Sequence, residues 1–483
     1  MEKSAKKTLD KSLANQFKNS SDFVCQTIKV GEKDVNLYFI DNMIDKAIAS
    51  KEIVEKVQSA ESGQELTTNS LLNSIGVAGS DTSTDTNEAI DKILAGFVVV
   101  YIVGTEDNSY IYCPCQGYEK RGVEEPPTSA VQKGPREGFS EDINTNIGLI
   151  RKRLKSKDLC FEEMKIGEYT NTKVVICYIS SVVEKSILKQ VKQRLKQIKI
   201  DGIIDSFYIE SLIAPKKSLL FKQIGNTEKP DVAVARMLEG RITIIVDGSP
   251  IVLTIPYLFL EDLQSGDDYY DHATHASFIR ILRLLGMIIS ISLPGIYVAL
   301  QSFHYALLPV DFLISLQNSI EGLSFPPLLE ILVVLFLFEI LNEASIRMPK
   351  YSGMALSIIG ALVLGDTAVQ AGIISPPAVI MVAVSGITLF TVPDQVSIVS
   401  ILRILFTIVG GVAGFYGILI AFIFLVSYLI SFESFGTPYF APYAPDIKTD
   451  KKDGIFKSRL ATLTTRPKSI PNKNNVRQRW KKH

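Results

Sequence analysis

ILFTIVGGVAGFYGILIAFIFLVSYLISF, residues Ile404 to Phe432, contains no charged side chain in 29 residues. A run of about 20 apolar residues is enough to cross a bilayer as a helix, and this one is longer. Burying so much continuous apolar surface in a water-soluble core is implausible, so this stretch decides the architecture: part of the chain belongs in a membrane.

The surrounding sequence is of the same kind. Residues 284–432 hold three basic residues, Arg347, Lys350 and Arg403. Four more hydrophobic stretches precede the quoted one. Leu284 to Leu308 is long enough to span, and Pro294-Gly295 predicts a kink in it. Leu328 to Ile346 follows Phe325-Pro326-Pro327 and carries Glu330, Glu339 and Glu343. Met354 to Ile374 is rich in Gly, Ala and Ser and contains Asp366. Ala378 to Val392 is short, between Ser375-Pro376-Pro377 and Pro393-Asp394.

Charge sets an orientation. The chain has 51 basic and 51 acidic residues, but Lys448 to His483 holds twelve Lys or Arg against two Asp. Met1 to Ser50 is charged and has no apolar core of a secretory signal, so the front half is expected to stay cytosolic. A basic tail also belongs on the inside. Both ends inside require an even number of crossings, so the expectation is four crossings plus one re-entrant or interfacial segment. The acid-bearing second stretch is the preferred exception.

The fold class expected is a soluble α/β N-terminal region of two or three small subdomains, then a multi-pass helical membrane domain and a short basic tail. The divisions are 1–19 disordered, 20–125 and 126–277 as α/β subdomains, 278–432 as the membrane domain and 433–483 as the tail. Strands are expected at Phe23 to Val30 and Val35 to Ile40, with a hairpin across Gly104 to Asp107 and strands near Thr172, Ile242 and Ile251. Helices are expected over 45–58, 142–154, 183–199 and 232–238. Segment 62–87, rich in Ser, Thr, Gly and Asn, reads as a loop with a short helix near 69–75.

Candidate chemistry in the front half is sparse. No phosphate-cradling glycine loop is present, which argues against a nucleotide-driven pump. Five cysteines suit a reducing compartment; Cys113 and Cys115 read as packing rather than redox or metal groups. His272 and His275, one helical turn apart, could supply two metal ligands, but with Tyr269, Tyr270 and Arg280 they read better as an interfacial collar. Arg136 and Glu137, in Gly134-Pro135-Arg136-Glu137-Gly138-Phe139, read as a salt-bridged subdomain joint, with anion binding the weaker alternative. No catalytic constellation, metal set or cofactor site is expected, and no nucleic-acid partner.

Acids inside hydrophobic stretches are the first place to look for function. At 100° per residue, Ile359, Leu362, Val363, Asp366 and Gln370 fall on or near one face of the third stretch, amid small residues that let helices approach. Such helices from several subunits would present a ring of acids and favour cations. The bland reading is that Asp366 bonds a neighbouring helix. Glu330, Glu339 and Glu343 are candidate gating or structural acids; snorkelling or pairing with Arg347 is the plain reading for them.

Several motifs in one order resemble the GerA family of spore germination proteins: the loop Gly134 to Phe139, Ile200 to Ser206, Glu239-Gly240-Arg241 with Val246 to Pro250, Phe325 to Glu330, Phe338 to Pro349, Ser357 to Asp366 running into Ala371 to Pro376, and Ser434 to Tyr439. The resemblance covers about Ser20 to residue 447. It implies the A subunit of a nutrient germinant receptor in the spore inner membrane, with its N-terminal domain and tail on the core side. The implied partners are a transporter-like B subunit, a lipoprotein C subunit, the lipid bilayer and further copies of the A subunit, as a pentamer forming a ligand-gated ion channel. Asp366 departs from the family's pattern, where neutral residues are common, so conduction does not require an acid there. Two alternatives stand beside the receptor reading: an accessory paralogue acting with the dipicolinic-acid release machinery, and a non-conducting membrane scaffold.

Overall fold

The computed structural model describes residues 16–17, 19–31, 33–60, 66–105, 107, 109–117, 133–215, 221–321, 323, 325–347 and 363–478. Its N-terminal part is built from two five-stranded antiparallel sheets, and its C-terminal part is helical.

The first sheet contains β1 (Phe23–Val30), β2 (Lys33–Ile40), β3 (Asp81–Ser83), β4 (Phe97–Ile102) and β5 (Tyr110–Pro114), in the order β1-β2-β4-β5-β3. The second contains β6 (Leu159–Ile166), β7 (Thr172–Ile179), β8 (Gly225–Thr227), β9 (Ile242–Val246) and β10 (Val252–Ile255), in the order β6-β7-β9-β10-β8. The two orders are the same. Strands β4 and β9 are buried along almost their whole length, because helices cover one face and packed side chains the other.

The helices repeat as well. In the first half Thr68–Ser74 precedes β3 and α1 (Thr86–Leu94) follows it. In the second half α2 (Ile143–Arg153) leads in, α3 (Lys185–Gln197) and α4 (Ser206–Ile213) precede β8, and α5 (Pro230–Leu238) follows it. Details agree too. Asp45 and Glu184, each five residues beyond its strand, cap the next helix by accepting from its first amides. Gly96 and Gly240 end α1 and α5 at φ 86° and 106°, where glycine is favoured. They pack on the backbone of Met43 and Val182, equivalent positions beyond β2 and β7. The N-terminal part is therefore a duplicated unit.

The helical part contains α6 (Ala273–Ser302), α7 (Val310–Ile320), α8 (Pro327–Arg347), α9 (Pro376–Leu389) and α10 (Val396–Ile430). Among the described residues two helices, α6 and α10, are long and apolar enough to cross a membrane. The 21-residue α8 has the length but carries the three glutamates, and α9 has 14 residues. Helix α6 continues through Pro294 as one element. A break lies in α10, at Gly414 (φ 65°, ψ −156°), a conformation essentially open to glycine alone. Residues 354–362 of the third hydrophobic stretch lie outside the described residues.

The basic segment after α10 was expected as a simple tail, but residues 433–478 are folded onto both parts. A two-stranded ribbon, Glu433–Ser434 with Thr437–Pro438, starts it. Phe435 is buried in the core of the second repeat, and Tyr439 is buried against Phe259 and Phe432. Asn472 pairs with Val183, and the Lys473 amide donates to Val182. In the first repeat the equivalent pairing, Ile44 with Gln116, comes from the repeat's own chain.

Candidate functional site

The densest buried polar chemistry lies where the soluble part meets the helices. After β10 the chain runs through Pro256 into a single 3-10 turn, Phe259–Leu263, and then into α6. This short connector is met by the loop before α10 and by the C-terminal segment.

Asp262 is at the centre. It is almost fully buried and accepts from the Tyr257 hydroxyl and from the Gln395 side-chain amide. The Lys222 ammonium stands 3.1 Å from Asp262 and 3.7 Å from Asp394, beside α10. Burial raises the Asp262 pKa, opposed by Lys222. Burial also works against the Lys222 charge, but Asp262 and Asp394 outweigh it and hold its pKa above the usual value. One lysine and one aspartate thus tie the soluble part to the start of the longest apolar helix.

Two arginine networks flank this pair. Arg241 bonds Glu261, lies 3.1 Å from Glu239 and donates to the Pro256 carbonyl, while Arg236 stands 3.2 Å from Glu261. Arg280, fully buried on α6, donates to Asp268 and Asp453 at 2.9 Å each and to the Gly454 carbonyl at 2.7 Å. Arg283 also holds Asp268. Phe221, Tyr257, Phe259, Tyr428, Phe432 and Tyr439 fill the space between. Desolvated charges in this number are stable only when fully paired, which makes the junction stiff and specific in register.

Inside the helical part the acids of the hydrophobic stretches separate. Glu330 is buried and accepts from the Ser375 amide at 2.6 Å, at the start of α9. Glu339 lies 2.5 Å from Arg403, which is fully buried, donates to the Ser385 hydroxyl and stacks on Phe338. Glu343 pairs with Arg347 across one exposed helical turn. Of the third-stretch face, Ile359 and Leu362 lie outside the described residues, and so does the Val363 side chain. The backbone from Val363 to Thr367 forms a π-helical turn, and Asp366 and Gln370 are exposed.

The sequence places a subdomain joint at Arg136 and Glu137. Arg136 is exposed, and Glu137 pairs with Lys152 and Arg153 of the same repeat. A buried pair that joins the two repeats is Asp22 and Arg151, 2.9 Å apart, beside the Ser20 hydroxyl and the Phe161 ring. Nothing in the sequence marks that pair, whose members are 129 positions apart.

His275 bonds Asp271, which also holds Lys133. Among the described residues no three His, Cys, Asp or Glu side chains cluster to hold a metal. All five cysteines are free, and burial pushes the thiols of Cys113 and Cys115 up to about 12 and about 11, which leaves them inert.

The family described as Bacillus/Clostridium GerA spore germination protein matches residues 11–469. Spore germination protein KA of Bacillus subtilis (strain 168) is 37% identical over 471 residues, covering 95% of this chain and 86% of that protein. The uncharacterized membrane protein YfkQ of the same strain is 36% identical over 399 residues, covering 82% and 77%. Among solved structures, the N-terminal domain of the A subunit of the Bacillus megaterium spore germinant receptor GerK3 is similar at 28% identity, covering 52% of this chain and 93% of that one, with a TM-score of 0.40.

Proposed function

The chain belongs to the GerA family of spore germination proteins, and on that premise we propose that it is the A subunit of a nutrient germinant receptor. It works with a transporter-like B subunit and a lipoprotein C subunit in the spore inner membrane. It crosses that membrane several times, with the duplicated domain on the core side. Copies of it assemble, as a pentamer, into a ligand-gated ion channel whose pore is lined by the third hydrophobic stretch around Asp366. It is not an enzyme.

One observation carries the coupling half of this reading: the Lys222 link to Asp262 and Asp394. A receptor needs a path by which a change in one part is felt in another, and a buried charge network with few alternative pairings supplies a two-position element. A near-complete switch between closed and open needs a differential free energy of about 5.5 kcal/mol. Breaking one buried pair costs roughly 3–5 kcal/mol, so the junction has the right scale.

The test is ion flux from liposomes holding the purified chain with its B and C partners, with and without candidate germinants. It is repeated with Asp366→Asn, Leu362→Ala and Asp394→Asn. Nutrient-dependent flux that the first two changes alter supports the channel. An assembled, nutrient-binding complex without flux overturns it in favour of a scaffold.

A further inference from the structure

The duplication provides an internal control. Thr68–Ser74 in the first repeat and α4 in the second occupy the same place in the same topology. The outward side of Thr68–Ser74 is polar, with Asn69, Asn73 and Ser74 exposed. The outward side of α4 is apolar: Phe207, Tyr208 and Leu212 are 47%, 43% and 46% exposed, and Ile204 just before the helix is 70% exposed. At 100° per residue these positions share one face. The preceding helix differs too. In the first repeat residues 46–59 hold three Lys and two Glu, whereas α3 holds four Lys and one Arg with no acid. Lys185, Lys189 and Lys196 are exposed there, with Lys199 just beyond.

Both differences occur in the repeat that lies against α10. Arg194 of α3 donates to the carbonyls of Ile213 and Ala214 at the end of α4, and its guanidinium lies 5.5 Å from the Phe435 ring. Phe435 is five residues past the end of α10. Phe221 lies 6.2 Å from Tyr428 on the last turn of α10, where Val426, Tyr428 and Ile430 are exposed. The second repeat, which carries the apolar face of α4 and the basic α3, is thus held at the level where α10 ends, through Arg194 with Phe435 and Phe221 with Tyr428.

We propose that α4 and α3 form a docking surface for the anionic headgroup layer of the membrane, so that the second repeat rests on the bilayer while the first stands clear. Apolar side chains at the headgroup boundary together with several lysines are the combination that holds a peripheral element on an anionic surface. This inference rests on the reading that α10 spans the bilayer.

The experiment uses the full chain, one copy per lipid nanodisc of phosphatidylcholine with phosphatidylglycerol, in a Trp480→Phe background that removes the single native tryptophan. Three reporters are compared by quenching with brominated lipid: Phe207→Trp on α4, Asn73→Trp on the equivalent helix, and Ile423→Trp on the exposed side of α10. The expected result is quenching at position 207 at least about twofold above position 73, weakened in phosphatidylcholine alone and by Lys196→Gln with Lys199→Gln. Position 207 no more quenched than 73, with 423 quenched, overturns this inference alone. No quenching at 423 overturns the spanning reading with it. Shielding of 207 only in discs with two or more copies makes the face a contact between copies and also overturns it.

Discussion

Gly295 and Gly410 meet backbone to backbone where α6 crosses α10. A Cβ on Gly295 would stand 2.5 Å from the Phe406 carbonyl oxygen, and one on Gly410 would strike the carbonyl of Gly295. Neither obstacle is a flexible side chain, so the two helices have no slack to give. Small residues at a membrane-helix crossing allow this close approach. Gly410→Val is expected to destabilise the helical part by roughly 1–3 kcal/mol or more, the range for overpacking a tight contact. Gly365→Ala, at a site with nothing within 4 Å among the described residues, serves as the control. Thermal unfolding in one detergent separates them: a Tm for Gly410→Val equal to that of the control sinks the crossing argument.

The Glu339–Arg403 and Glu343–Arg347 pairs are both 2.5 Å apart, yet they should behave differently. Arg403 has no exposed surface, whereas Arg347 is 78% exposed. Glu339→Gln leaves a buried guanidinium without its counter-charge and is expected to cost roughly 3–5 kcal/mol. Glu343→Gln is expected to change stability by about 0.5 kcal/mol or less. Comparable losses by denaturant titration would contradict this assignment.

Asp22→Ala should loosen the repeats from one another. It strands Arg151 in a buried position and removes the three hydrogen bonds that Arg151 donates to Asp22. The expected signature is faster amide hydrogen exchange in β1 and α2 with little change in β9. Glu137→Ala, which removes a partly exposed pair within one repeat, is expected to leave β1 unaffected. Equal exchange in the two variants would restore the loop at Gly134 to Phe139 as the joint.

Glu210 provides a pH dependence. Burial raises its carboxyl pKa from 4.5 to about 7, only partly opposed by Lys222. Between those values the folded chain holds a proton that the unfolded chain has released. Stability from this group is therefore fully present below about pH 4.5 and declines as pH rises through about 7. Glu210→Gln removes the decline, so the variant should gain on the parent at pH 8 and lose that advantage at pH 4.5. Parallel stability curves across this range would show that the carboxyl is not buried in solution.

Much of the fold was legible because local patterns carry it. Strand β1 was read to the residue from its apolar content and the turn at Gly31, and α3 from Ile187, Leu188, Val191 and Leu195 on one face. Helix α1 was missed because Asp85, Thr86, Asn87 and Glu88 continue a polar run, although Ala89, Ile90, Ile93 and Leu94 hold helical spacing and are buried. The duplication was missed because little of it survives in sequence beyond Leu94-Ala95-Gly96 and Leu238-Glu239-Gly240, each followed eight residues later by a second glycine, Gly104 or Gly248. The junction was illegible for a different reason. Lys222, Asp262, Asp394 and Asp453 are ordinary charges in sequence, and only the folded chain brings them together.

The Asn472–Val183 pairing has a consequence for the order of assembly. The first repeat is complete as soon as Gln116 has been synthesised. The second leaves its equivalent position open while the chain departs into the helices, and fills it with a segment translated after α10. Until α10 has been made and residues 433–478 have folded back onto the second repeat, Phe435 is missing from the core and Arg280 lacks Asp453. A ribosome that stalls in the helices therefore leaves the second repeat unsealed. Closure of an N-terminal repeat becomes a report on whether the helical part was completed.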